Sequence, residues 1–274
     1  MFGRNSICAL AALLVTMTSA AASDAAMYPD WKGEWSRIGS WAWDPNKPRG
    51  AGQQAPLTAE YQAILDASLA DQARGGQGNY PGDRCLPYGM PGMMFPYRGM
   101  EFVIAPDITH ILLEHMGQHR RIYTDGRTWP EKLTPAFNGY SIGLWVDEGA
   151  SGRYDTLLIE TRGMRGPRSF DSSGLPLHSD NETIVKERIY LDKVDPDILH
   201  NEITTIDHAL TRPWTVTRSY QRERRPVWFE HLCEVNNNVE IGNESYFIGA
   251  DGYLMPTRKG QRPPGLSGFD QAHD

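Results

Sequence analysis

Cysteine is scarce, with three residues in 274 and no two close enough for a Cys-x-x-Cys clamp. That argues against a disulfide-dense scaffold and against the commonest structural zinc sites. Beyond residue 22, no apolar run is long enough to span a bilayer as a helix. Positive charge is not in excess either, since 27 Lys and Arg face 34 Asp and Glu for a net charge of −7. A chain with that balance is a poor partner for nucleic-acid phosphates. Also missing are a Gly-x-Ser-x-Gly elbow, a phosphate-cradling glycine loop, a dinucleotide fingerprint and, among the eight histidines, a His-Glu-x-x-His pair. Motifs therefore assign no cofactor and no metal, although ligands gathered from separate strands would leave no local spacing.

The first residues do carry a pattern. Arg4 supplies a short positive region, residues 7–17 an apolar stretch, and Ser19-Ala20-Ala21-Ala22 the small side chains that signal peptidase requires. The expectation is export to the periplasm or beyond, with cleavage after Ala22 (Ala26 is the alternative) and no stable membrane insertion afterwards. An oxidising destination changes the meaning of the cysteines. Cys8 leaves with the signal, and Cys85 and Cys233 remain as an expected disulfide, with two buried thiols or a metal pair as alternatives. In the entropic account, closing so long a loop constrains the unfolded chain by roughly 4–5 kcal/mol. Removing 22 of 274 residues leaves 252, and losing Arg4 leaves 26 Lys and Arg against 34 Asp and Glu, a net charge of −8.

The one convincing helix spans residues 57–73. Thr58 can cap it, Glu60 falls in its first turn, and Tyr61, Ile64, Leu65 and Leu69 recur at helical spacing before Gly75-Gly76. Upstream, Trp31 to Trp35 reads as one short strand or turn. Residues 79–99, broken repeatedly by Gly and Pro, read as an ordered loop around Cys85. Short strands rich in Thr, Ile, Val, Trp and Tyr then follow over 102–105, 108–115, 119–124, 140–146, 154–161, 183–191, 199–206, 214–221 and 227–233. Gly117-Gln118 marks a hairpin turn. Strands do not alternate with helices, which argues against a parallel α/β sheet, and the spacings suggest antiparallel neighbours. The expected fold is mostly β: one antiparallel β-barrel domain over 23–255 with the helix outside or across an end, and a flexible tail over 256–274.

The strands hold more polar residues than a plain core-and-surface pattern needs. Over 108–115, Thr109, Ile111, Leu113 and His115 share one face, while Ile108, His110, Leu112 and Glu114 share the other. Over 119–125, His119, Arg121, Tyr123 and Asp125 share a face opposite Arg120 and Ile122. One face of each strand lines a closed barrel, and inward His, Arg, Tyr and Glu in an apolar wall would make a small-molecule pocket. The plain alternative for each is a solvated outer face. Leu177-His178-Ser179 precedes a strong strand carrying Glu187 and Arg188, and an imidazole at a barrel mouth titrates near neutral pH. Thr211-Arg212-Pro213-Trp214 opens another strand, where a cation on an aromatic would close a barrel end. Turn geometry and packing account for both segments equally well.

Several of these pieces together resemble a known group. Glu114 with Arg120-Arg121-Ile122-Tyr123-Thr124-Asp125-Gly126-Arg127, then Gly139-Tyr140-Ser141-Ile142-Gly143-Leu144-Trp145, is similar to a large bacterial family of exported proteins without an established common function. Pro56-Leu57-Thr58-Ala59-Glu60-Tyr61, Cys85-Leu86-Pro87-Tyr88-Gly89-Met90-Pro91, Leu177-His178-Ser179, Thr211-Arg212-Pro213-Trp214 and Cys233-Glu234 support the likeness in the same order. The resemblance implies a lipocalin-like barrel, to which Gly33-x-Trp35 also points, and it supplies no catalytic residues. The chain departs from the family pattern around His115 to His119.

The functional expectation is a cofactor-independent lyase, hydratase or isomerase acting on a small apolar or aromatic molecule. The alternatives are a lipocalin-type carrier and a structural envelope protein docking through the Trp/Pro-rich segment. The most specific expectation puts His178 at the barrel mouth as proton carrier, with Arg121 holding an oxyanion and Tyr123 donating to it. Glu114 or Asp125 would orient the histidine or balance Arg121. His115, His119, Trp145, Arg188, Arg212 and Trp214 would contact the ligand. Polar groups facing inward favour catalysis, an empty apolar interior favours carriage, and a filled interior favours the structural role.

Overall fold

The computed structural model describes residues 26–39, 55–76, 78–84, 86–97, 99–166, 168–228, 238–241, 244–248, 254–257 and 260–262. Nine strands close a barrel in chain order: β1 Glu34–Arg37, β2 Met100–Ala105, β3 Ile108–Leu113, β4 His119–Tyr123, β5 Tyr140–Val146, β6 Thr156–Arg162, β7 Ile184–Leu191, β8 Ile198–Ile206 and β9 Trp214–Glu223. One helix, α1 Ala59–Ala73, lies between β1 and β2. A separate sheet follows the barrel, made of β10 Asn238–Ile241, β11 Glu244–Ile248 and β12 Leu254–Pro256. The expected export signal over 1–22 and both cysteines of the expected disulfide, Cys85 and Cys233, lie outside the described residues.

Alternation decides what each strand buries. In β8, Leu199, Asn201, Ile203 and Thr205 are buried, and the residues between them are half exposed. Closure pairs β1 with both β2 and β9, which leaves the barrel no free edge. Neighbours are antiparallel with one exception: β4 and β5 pair in parallel through Ile122 with Ser141 and Tyr123 with Ile142. The expectation of a mostly antiparallel barrel holds, with this one parallel step. Residues 124–139 return the chain along the barrel, which a parallel step requires and a tight hairpin forbids.

The register places the chain's links at two ends. One end carries the described residues of the link 163–183, the loop 207–213, the β3–β4 turn and the described residues of 55–99, while the other carries the turns at 106–107, 147–155 and 192–197. Helix α1 belongs to the first end. Thr58 caps it by accepting the Tyr61 N–H at 3.4 Å. The Thr58 N–H donates to the Ala209 carbonyl at 2.9 Å and the Thr211 N–H to the Pro56 carbonyl at 2.7 Å, so the helix starts from the 207–213 loop. Its buried face is narrow, Leu65 and Ser68, and Ile64 of the expected apolar stripe stands exposed.

The barrel interior is filled. Residues 86–97 enter from the α1 end, burying Met90, Met93 and Met94 completely, and the Tyr220 hydroxyl donates to the Met94 carbonyl at 2.7 Å. At the other end, Trp31 sits with its ring centre 5.1 Å from Phe102 and 4.9 Å from Trp145. Between these plugs lies a polar cluster on Arg120. Its guanidinium donates to Ser141 at 3.1 Å, Thr161 at 2.7 Å and Glu187 at 2.5 Å, and Asn201 donates to the other Glu187 oxygen at 2.9 Å. Both charged side chains are essentially without solvent contact, 1% and 0% exposed. A buried ion pair holds only when its remaining hydrogen-bonding capacity is met by neighbours, as it is here.

Other boundaries differ from the sequence reading. The first strand begins at Glu34 rather than spanning Trp31 to Trp35, because Gly33 takes φ +105 and breaks the extended run. Val227 and Trp228 are exposed and outside any strand, and 229–233 lie outside the described residues. The barrel is complete at Glu223, and Leu254–Pro256, of which Pro256 opens the expected flexible tail, pairs with β11.

Candidate functional site

The link from β6 to β7 and the loop from β8 to β9 meet beside α1, and a buried polar network locks them together. Arg168, 6% exposed, donates to the Met164 carbonyl at 3.0 Å, to the His178 carbonyl at 2.8 Å and to the Thr183 hydroxyl. Thr183 in turn donates to Asp207. The other Asp207 oxygen accepts the His178 N–H at 2.9 Å and the Ala209 N–H at 2.8 Å. One buried carboxylate therefore fixes the backbone of His178 and the start of the facing loop. Burial lowers the pKa of Arg168 against the opposing pull of Asp207 and Asp180.

On this frame the His178 imidazole is partly exposed. Its ring centre lies 5.5 Å from that of Tyr61 on α1 and 5.6 Å, edge-on, from that of His208. Asp180 sits between the two histidines. One of its oxygens is 2.8 Å from His178 Nδ1 and 2.5 Å from His208 Nδ1. The Asp180 N–H also points at His178 Nδ1 from 3.2 Å. Burial works to raise the Asp180 carboxyl, but the Glu182 N–H and the two imidazoles hold it below its ordinary value. The hydrogen bond to Asp180, and its charge, raise His208. Burial and the charge of Glu60 raise the Tyr61 phenol. Between α1 and the link runs a cleft of about 280 Å³, lined by Tyr61 and Ile64 on one side and Arg168, Leu177 and His178 on the other. Its wall is apolar with a few fixed polar groups, as small-molecule sites are.

Of the sequence-predicted catalytic set, His178 lies at this rim and the others lie elsewhere. Arg121 is exposed and Tyr123 is on the same outer face of β4, with the interior taken by Arg120 and Ile122. The two faces of that strand were interchanged in the expectation: opposite Ile111 the register places Arg120, so Arg120 shares the inward face. Asp125 follows β4 at the far end of the barrel and pairs with Arg127 at 2.6 Å. Glu114 is buried in the β3–β4 turn, where it accepts the Gly99 N–H at 3.4 Å.

The expected ligand contacts also separate. His115 stacks on Tyr88 at 5.1 Å, and His119 is exposed, its carbonyl accepting from Asn138 at 2.9 Å. Trp145 points inward at the far end and donates to Thr109 at 3.3 Å. Arg188 is on the outer face, bound to Glu148 and, at 3.1 Å, to Glu202. Arg212 is exposed, and Trp214 turns inward against Phe170 with ring centres 4.6 Å apart, so the expected cation–aromatic closure is replaced by aromatic packing. Residues to which the sequence reading gave no site role now surround His178: Tyr61, Arg168, Asp180, Asp207 and His208. Asp207 and His208 stand just upstream of the Arg-Pro-Trp step, about thirty residues from His178, and no spacing in the sequence joins them to it.

No family model matches the chain, and no curated protein matches it either.

Proposed function

We propose that this barrel binds a small apolar or aromatic molecule with a polar end in the rim cleft beside His178, and acts on it there as an enzyme. The supporting observation is the convergence of Tyr61, Arg168 and His178 on one cleft, with Asp180 and His208 at its edge and a buried network holding His178 in place. The partly exposed His178 imidazole faces the polar end of the ligand, and Leu177 and Ile64 offer apolar walls. The lipocalin-type carrier reading is disfavoured because Met94 and Tyr220 occupy the space a carried ligand would need. Export and kinship with the exported bacterial family belong to this reading as well.

The filled interior favours one other reading, a non-catalytic scaffold of the cell envelope. A thermal-shift screen of small aromatic acids and their neutral analogues, run in chelator, separates the two. A ligand at 100 times its dissociation constant adds about 2.7 kcal/mol to stability. Ile64→Trp, at an exposed cleft position, should fold normally and lose that shift. A shift retained in Ile64→Trp would remove the cleft from the account, and no shift with any compound would favour the scaffold.

A further inference from the structure

We propose that His178, Asp180 and His208 form a binding site for one divalent transition-metal ion of the zinc type, at the edge of the rim cleft. The inference extends the rim-site reading, and it stands on three observations of its own. First, one ligand atom from each residue lies within 4.8 Å of the other two. Two imidazole nitrogens and one carboxylate oxygen are the donors that catalytic zinc sites use, with a remaining position open to water or substrate.

Second, the geometry around Asp180 suits a cation. A single Asp180 oxygen faces both Nδ1 atoms, at 2.8 and 2.5 Å. Without an ion, each contact needs a proton on that nitrogen, yet the Asp180 N–H already points at His178 Nδ1 from 3.2 Å. An ion placed among the three donors uses the lone pairs directly and needs no proton on either ring. Zinc–ligand bonds of about 2.0–2.2 Å set tetrahedral donors about 3.3–3.5 Å apart. The Asp180–His178 contact, at 2.8 Å, must therefore open by about 0.5–0.7 Å and the Asp180–His208 contact, at 2.5 Å, by about 0.8–1.0 Å, and His208, with its side chain 64% exposed, has the room to do so. Glu182, 3.9 Å from His208 Nδ1, is a fourth donor within reach of a small rotation.

Third, the two loops carrying the ligands are tied together independently of any ion. Asp207 accepts the N–H of His178 and of Ala209, so the ligand immediately before Ala209 and the ligand on the other loop are held in register by one buried carboxylate. Support of this kind beneath the ligand set is what orients metal ligands elsewhere. The donors come from positions 178 and 180 on one loop and 208 on another, a spacing that no local sequence motif records.

The test uses full-length protein stripped with chelator and dialysed. Zn²⁺ is titrated by calorimetry and Co²⁺ by visible absorption, with no organic ligand present. Wild type should bind one ion per chain. His208→Ala and Asp180→Asn should weaken Zn²⁺ binding by more than the roughly 10–100-fold that losing an outer-shell partner costs, and should lose the Co²⁺ band. His110→Ala, on the outer face of β3, should change neither. Because His208 is exposed, its variant keeps the fold, and circular dichroism verifies this. Wild type without saturable one-to-one binding, or His208→Ala binding as tightly as wild type, would overturn the metal site. The cleft test runs in chelator, so the two proposals fail separately.

Discussion

Replacing Arg120 by Met probes how the barrel interior is built. The change removes the cation from a pair whose partner, Glu187, is wholly buried and keeps one further donor, Asn201, at 2.9 Å. It also strips Ser141 and Thr161 of the guanidinium they share. Breaking a buried pair on one side costs about 3–5 kcal/mol, because an uncompensated charge stays behind. At about 2–4 °C per kcal/mol for a domain of this size, the melting temperature should fall by about 6–20 °C. Replacing both, Arg120→Met with Glu187→Leu, removes the stranded charge. Such double replacements are often neutral or stabilising by about 1–4 kcal/mol, so most of the loss should return. Urea unfolding followed by tryptophan fluorescence and by circular dichroism reads both variants. A single variant within 1 kcal/mol of wild type, or a double variant no better than the single, would refute the view of the cluster as a closed structural element.

Three further outcomes follow from the same structure. Met94→Ala opens a cavity in the plug beneath Tyr220 and should cost about 2–5 kcal/mol, which thermal unfolding checks; a negligible loss would mean that the plug does not pack as described. Thr58→Ala removes the α1 cap and should cost about 0.5–2 kcal/mol, read by urea unfolding and reversed by Thr58→Ser. Acid should weaken the fold through carboxylates held low in the folded state. Asp192 is lowered to about 2 by the Asp195 N–H and His200, and Arg224 lowers Asp197. Depressed values contribute stability above the ordinary carboxylate value of about 4 and lose it as pH falls through the folded values. The melting temperature should therefore drop between about pH 4 and pH 2, and a flat profile there would contradict the contribution of these groups.

The strands were legible because β-branched and aromatic runs punctuated by turn residues leave a local record. Eight of the nine barrel strands fall on expected runs, and the ninth, β1, overlaps the expected segment by Glu34 and Trp35. Helix α1 was equally plain from its cap and spacing. The inward face of β4 was not legible. His119-Arg120-Arg121-Ile122-Tyr123 offers two polar faces, and only the pairing of Arg120 with Ile111 and the presence of Glu187 three strands further on choose between them. The parallel β4–β5 step is a property of the return path through 124–139, which carries no periodic pattern. At the rim, His178 was visible as a histidine between a turn and a strong strand. Its partners come from 61, 168, 180 and 207–208, and no single-chain spacing links such positions.

The claim that binding takes place at the rim, outside a packed barrel, is tested most directly by a crystal structure with a compound from the thermal screen bound. The account predicts ligand atoms against Tyr61, Leu177 and His178, with the interior contacts of Arg120, Glu187 and Met94 unchanged. A ligand inside the barrel, displacing Met94 or parting Arg120 from Glu187, would contradict it.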